Sequence, residues 1–140
     1  MIAGKPVCFT FEKRNWCRLA QRALAHALYG RDAICAEQVR SGRRELFLVN
    51  GDSWLVTEIM HGNKLFIWAY AGQRLVQMVT HMRTVARSNG LQYIGFFTHH
   101  ESALRALRRF RPLAFPTSVE GEYEYVICCA ESRKADLRAA

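Results

Sequence analysis

Hydrophobic positions recur along the chain in two rhythms, one with the period of a strand and one with that of a helix. The clearest stretch runs from Lys64 to Phe97. A β-branched and aromatic run, Lys64-Leu-Phe-Ile-Trp-Ala-Tyr-Ala71, ends at Gly72. Leu75, Val76, Met78, Val79, Met82, Val85 and Ala86 then fall on one broad face of a predicted helix that closes at Asn89-Gly90. A second apolar run, Leu91-Gln-Tyr-Ile-Gly-Phe-Phe97, follows. Strand, helix and strand in that order predict a βαβ unit, with parallel strands and a right-handed crossover.

The remaining elements follow from the same reading. A short strand is predicted over Val7–Phe11. Asn15 sits where an N-cap belongs, and Trp16, Leu19, Ala20, Ala23, Leu24, Ala27 and Leu28 mark a helix ended by Gly30. A shorter helix fits Asp32–Val39 before Ser41-Gly42 stops it. Glu45–Val49, Trp54–Met60 and Lys64–Ala71 predict an antiparallel meander. Its turns fall at Asn50-Gly51-Asp52 and His61-Gly62-Asn63, residues that tolerate positive φ. After the βαβ unit come a short helix over Glu101–Phe110, ended by Pro112, and two closing strands, Leu113–Thr117 and Tyr123–Cys129. The order β-α-α-β-β-β-α-β-α-β-β predicts an α/β (α+β) domain over residues 1–130, with a polar tail over 131–140. Its sheet is mixed and mostly antiparallel, with helices on both faces and one parallel strand pair.

Charge and cysteine usage narrow the function classes. The formal net charge of +8 favours an anionic partner, whether nucleic acid, a nucleotide-like cofactor or an acidic protein. No apolar window approaches the roughly 18 residues of a membrane span, and the N-terminus lacks a signal-peptide pattern, so a cytoplasmic location is expected. The five cysteines include no C-x-x-C and are expected to be reduced thiols packed as small apolar residues. The adjacent His99 and His100 do not converge on one ion, so no metal site is expected.

The element order, with its crossover between the fourth and fifth strands, resembles the GCN5-related N-acetyltransferase (GNAT) fold over roughly residues 7–129. The segment Glu37-Gln-Val-Arg-Ser-Gly-Arg-Arg-Glu-Leu-Phe-Leu-Val49, with Trp54–Ile59 after it, is similar to small GNAT-like proteins of tailed bacteriophages. This resemblance implies an acetyl-CoA-dependent N-acyltransferase acting on an unidentified small-molecule or protein amine. The alternative it implies is a catalytically inactive scaffold serving as a phage structural or interaction component, in the host cytoplasm or the virion. A homodimer through edge strands is also implied. The charge alone leaves a nucleic-acid-binding module as a further reading.

The resemblance also implies a site. The pantetheine arm of acetyl-CoA would enter where the fourth strand, with Trp68 and Tyr70, splays from the fifth. The amides of Gly72, Gln73, Arg74, Leu75 and Val76 would hold the pyrophosphate at a helix N-terminus. The family signature Arg/Gln-x-x-Gly-x-Gly/Ala, laid on Gly72, finds Ala69 and Arg74 at its other two positions. Arg74 either pairs with a phosphate or fills the groove. Glu58 is the implied base, sharing a strand face with Trp54, Val56 and Met60, where desolvation would raise its proton affinity; otherwise it is solvated or paired with an arginine. The short helix lacks the tyrosine that usually reprotonates the thiolate, so His99 or His100 would serve as the acid, His99 being the first candidate; otherwise the two form a solvated loop. The clusters Arg105, Arg108, Arg109, Arg111 and Arg43, Arg44 would meet a cofactor phosphate, a nucleic acid or an acidic protein, or form solvated faces.

Overall fold

The structure, a computed structural model, describes residues 9–130. The elements are β1 (Phe11–Arg14), α1 (Arg18–Leu28), α2 (Asp32–Arg40), β2 (Glu45–Val49), β3 (Ser53–Met60), β4 (Lys64–Ala71), α3 (Leu75–Ser88), β5 (Tyr93–Phe97), α4 (Glu101–Leu107), β6 (Leu113–Pro116) and β7 (Tyr123–Cys128). A 3-10 turn, Arg108–Phe110, extends α4. One seven-stranded sheet has the order β1-β2-β3-β4-β5-β7-β6, and only β4 and β5 run parallel. Both the element order and the single parallel pair match the pattern read from the sequence.

Alternation along β3 divides the core. Trp54 and Val56 face α1 and α2, packing with Ala20, Leu24, Leu28 and Cys35, while Leu55 faces α3 and packs with Met78, Val79 and Met82. The apolar stripe of α3 is the buried one, so helical periodicity and burial agree. Cys35 and Cys129 are buried among apolar neighbours, and burial pushes both thiols up. Among the described residues no helix is long and apolar enough to cross a membrane, and no cluster of three potential ligands is placed to hold a metal.

Four boundaries differ from expectation by two residues or more. The first strand lies at Phe11–Arg14 rather than Val7–Phe11; Val7 and Cys8, like the tail over 131–140, fall outside the described residues. β1 is an edge strand whose Glu12, Lys13 and Arg14 pair by backbone with Leu48, Phe47 and Leu46. Charged side chains of this kind suit an exposed edge and conceal a strand from a hydrophobicity reading. The N-cap of α1 is accordingly Cys17, not Asn15. Leu91 and Gln92 precede β5 as a connection, the Gln92 and Tyr93 N–H groups donating to the Asn63 carbonyl. The short helix tightens at Arg108, and Arg111 takes the left-handed conformation before Pro112.

The sheet opens in the middle. β4 and β5 pair from Lys64↔Tyr93 only as far as Ile67↔Phe96. Beyond that point β4 stays with β3, and Phe97 of β5 stays with Glu124 of β7. A bulge sits at the same place: Val56 pairs with Ala69 but Thr57 with Ile67, so Trp68 has no partner across β3. Trp68 and Ala69 both pack on the α1 and α2 side, whereas Ile67 and Tyr70 pack on the α3 side. The extra residue bends β4 away from β5, as bulges do.

Candidate active site

The wedge between β4 and β5 holds a cleft of about 170 Å³. Its walls are Ile67–Tyr70 and Gly72 of β4 and its end, Phe96–Thr98 of β5 and its end, and Leu75, Met78 and Val79 of α3. Tyr29, His100 and Ala103 close the far side. The lining is mostly apolar and runs up to the N-terminus of α3.

That helix end is uncapped. The Met78 N–H donates to the Arg74 carbonyl at 2.8 Å, so Leu75, Val76 and Gln77 are the first-turn residues whose N–H groups lack an intrahelical acceptor. No acidic residue occupies the first turn, and Arg74 makes no capping bond with its side chain. Exposed donors and the positive end of the helix dipole together favour an anion. The Tyr70 hydroxyl donates to the Gln73 carbonyl and pins the turn to β4. Burial pushes the Tyr70 phenol up, which keeps it protonated as that donor.

Gly72 is needed for a reason the sequence does not show. A Cβ there would lie 2.0 Å from the Ser53 Oγ and 3.1 Å from its Cα, so the glycine lets β4 close against β3. A bulky residue at Gly72 would therefore displace the sheet as well as fill the groove. Arg74 adopts φ 60°, ψ 47°, the left-handed conformation that glycine takes without penalty. Here an arginine bears that strain. Arg74→Gly should stabilise the protein by about 1 kcal/mol, raising Tm by about 3 °C in a thermal melt. An unchanged or lower Tm would show that the Arg74 side chain offsets the strain.

No family model matches the sequence, and no curated protein matches it. Solved structures do. An IAA acetyltransferase from Bacillus cereus superposes with a TM-score of 0.63 at 13% identity, covering 86% of this chain and 99% of that one. Tetrahymena GCN5 gives 0.64 at 8% identity, covering 89% and 97%. A GNAT family acetyltransferase from Elizabethkingia anophelis, solved with acetyl-CoA bound, gives 0.57 at 12% identity, covering 86% and 96%. The chain has the GNAT fold.

On this GNAT fold the expected site residues separate into two groups. Trp68, Tyr70, Gly72 and Leu75 line the cleft, Gln73 and Arg74 form the turn above it, and Val76 lies in the first helical turn. Glu58 is not on the cleft wall. It shares the face of Trp54 and Val56, but its carboxylate is taken up by two hydrogen-bond donors and a further ion pair. Trp68 Nε1 donates to Oε1 at 3.0 Å, Arg43 Nε to Oε2 at 3.4 Å, and Arg44 Nε stands 3.5 Å from Oε1. The apolar surroundings expected for a base are replaced by an arginine-paired network. Arg44 sits over Trp68, its guanidinium carbon 3.6 Å from the ring centroid. The Arg43, Arg44 pair thus splits into one exposed and one half-buried residue, whereas Arg105, Arg108 and Arg109 are all exposed.

His99 stands at the end of β5, beside a group that the sequence did not bring out. Its backbone N–H donates to the Tyr29 hydroxyl at 3.2 Å, and its Nε2 lies 3.6 Å from Oε2 of Glu122. Glu122 is buried; Arg31 Nη2 donates to it at 2.7 Å and Thr117 Oγ1 at 3.3 Å. Burial by itself would raise this carboxyl, but the Arg31 guanidinium and the hydrogen bonds from Thr117 and His99 outweigh it and hold the carboxyl below its ordinary value near 4.5. The neighbouring His100 ring stacks on His26 at 4.5 Å and faces the cleft, its Nε2 buried without a partner.

Glu122 makes stability pH-dependent in one direction. Because its folded value lies below the unfolded one, its contribution is complete above about pH 4.5 and is lost as pH falls through the folded value. Glu122→Gln should therefore flatten the acid limb of a stability-versus-pH curve and leave the slope near neutrality unchanged. Identical acid limbs would mean that the Arg31–Glu122 pair does not hold in solution.

Proposed function

We propose that the chain is an acetyl-CoA-dependent N-acyltransferase acting on a small amine. One observation carries the reading: the parallel pair separates at Ile67 and Phe96, opening an apolar slot that leads to an uncapped helix N-terminus. The residues present fit the cofactor's two chemistries. Trp68, Tyr70, Leu75 and Met78 offer apolar walls for a thin pantetheine arm, and the amides of the first turn of α3 offer donors for a pyrophosphate. The solved structures of this fold with acetyl-CoA bound support the same assignment.

Bound there, acetyl-CoA supplies a thioester carbonyl whose acyl group passes to an amine, the nitrogen losing one proton and the departing sulfur gaining one. The chain's part is to orient and to move protons. His99 lines the niche that shares Tyr29, Trp68 and Phe97 with the slot, and we assign it both proton transfers, in place of a division of labour with Glu58. Glu122 positions His99 from behind, and the Tyr29 hydroxyl fixes its backbone. Glu58 supports the slot indirectly, by holding Trp68 and Arg44 in place. Neither an inactive scaffold nor a nucleic-acid module accounts for an open slot that ends on free helix donors.

Thermal unfolding with and without acetyl-CoA, repeated with free CoA, tests the reading. At a concentration about a hundredfold above Kd, either ligand should add about 2.7 kcal/mol. For a domain of this length that is a rise in Tm of about 5–10 °C. An unchanged Tm at millimolar ligand would overturn the proposal.

A further inference from the structure

We propose that the amine acceptor carries a carboxylate, which Arg31 and Arg44 receive in a niche beside the cleft. This rests on the acyltransferase reading and names the class of its second substrate. The niche lies on the α1 and α2 side of the wedge. It shares Tyr29, Trp68 and Phe97 with the cleft and adds Arg31, Arg44 and His99. A group seated in it is therefore next to both the slot and the proposed proton carrier.

Its size and charge select the ligand. The niche has a volume of about 30 Å³. A space of that size suits a small group such as a carboxylate. Around it the guanidiniums of Arg31, Arg43 and Arg44 face the carboxylates of Glu58 and Glu122. Within the niche itself Arg31 and Arg44 are each set against one carboxylate, and the third cation, Arg43, is exposed and screened by solvent. Arg44 has the looser pairing of the two. Its side chain is only 10% exposed, its Nε has no hydrogen-bond partner, and the nearby Glu58 oxygen stands at 3.5 Å. A largely buried guanidinium held this far from its carboxylate, with a hydrogen bond to Cys35 besides, still has donors to offer a further anion.

The geometry also gives direction. The Trp68 ring holds the Arg44 guanidinium carbon at 3.6 Å and limits its movement, and a guanidinium can donate to a carboxylate in bidentate fashion. Arg31 spends Nη2 on Glu122 at 2.7 Å and keeps its other donors, with its guanidinium 5.9 Å from the Phe97 ring. Trp68 and Phe97, their centroids 5.7 Å apart, separate niche from slot, so amine and carboxylate stand close together in the acceptor. A small amino acid has that shape.

The test is calorimetric titration of the protein in the presence of free CoA, which has no acyl group to transfer. Glycine, β-alanine and γ-aminobutyrate are compared with methylamine, ethylamine and propylamine, the same amines without the carboxylate. At least one amino acid should bind at least about tenfold more tightly than its counterpart, as expected for hydrogen bonds to a charged group. Arg44→Gln should bring the two to parity. Because Arg44 is buried, Arg31→Gln serves as a second variant and should also reduce the preference. Turnover of the same pairs with acetyl-CoA should show the same order. Equal binding of acids and amines, or a preference that survives both substitutions, would overturn the assignment. So would an absence of amino acid binding while CoA still raises Tm. A protein that binds no CoA would instead overturn the acyltransferase reading beneath it.

Discussion

Glu58→Ala should lower stability by about 3–5 kcal/mol, the expected loss when one partner of a buried ion pair is removed and the other charge is left behind. The partner that decides this is Arg44. Glu58 and Arg44 have side chains only 11% and 10% exposed, whereas Arg43 is 70% exposed and its bond to the same carboxylate is screened by solvent. Arg43→Ala should accordingly change stability by no more than about 0.5 kcal/mol. Loss of Glu58 also frees the Trp68 indole N–H, which otherwise donates to it at 3.0 Å. In a thermal melt the Glu58→Ala change amounts to a fall of about 10–15 °C. Combining it with Arg44→Met, which removes the stranded charge but keeps an apolar cover over Trp68, should recover part of the loss. A fall below about 1 kcal/mol would mean that the carboxylate is solvated. The same residue separates two catalytic readings. Glu58→Gln, assayed well below its own melting point, should keep turnover within about fivefold of the wild type. A hundredfold loss with unchanged stability would restore Glu58 as the base, on the scale of general acid–base catalysis.

The difference between that network and the expected base marks where sequence reasoning stops. Strand alternation put Glu58 on the face of Trp54 and Val56, and the structure keeps it there. Alternation says nothing of what arrives from elsewhere in the chain. Arg43 and Arg44 come from the loop before β2, and Trp68 turns towards Glu58 only because of a bulge, which no period-two pattern announces. The wedge was legible because it follows from topology: a strand, helix and strand with a glycine at the junction place a helix N-terminus beside a parallel pair. What Gly72 does there was not, since the Ser53 that needs its space lies on a neighbouring strand. Tyr29 and Glu122 left still less trace. Tyr29 sits at a helix end with φ 50°, ahead of Gly30, a pattern readable as a stop signal but not as a site. Glu122 differs from the exposed Glu120 only in that the β6–β7 turn buries it against Arg31, 91 residues away.

These same long-range partners are why His99 rather than His100 or Glu58 should control the rate. His100 is at the cleft, but its Nε2 is buried without a partner and no carboxylate orients it. His99 has a carboxylate 3.6 Å from Nε2, and that carboxylate is kept ionised by Arg31. Its side chain is 45% exposed, so a proton taken from an amine has a way out to solvent. His99→Ala should therefore cut kcat by about 10²- to 10³-fold, within the usual range for a general acid–base group. Because its ring is half exposed and fills no core space, stability should change by less than about 0.5 kcal/mol. The CoA-induced rise in Tm should persist, since no part of His99 faces the α3 terminus. Glu122→Gln removes the orienting charge while leaving the imidazole in place. It should lower kcat by a smaller factor, with KM for acetyl-CoA unchanged. The assay is acetyl transfer to whichever amine gives wild-type turnover, followed by release of the CoA thiol. A His99→Ala rate within threefold of the wild type would remove this residue from the proton transfers. A similar fall in CoA affinity would show that His99 shapes the slot instead of carrying a proton.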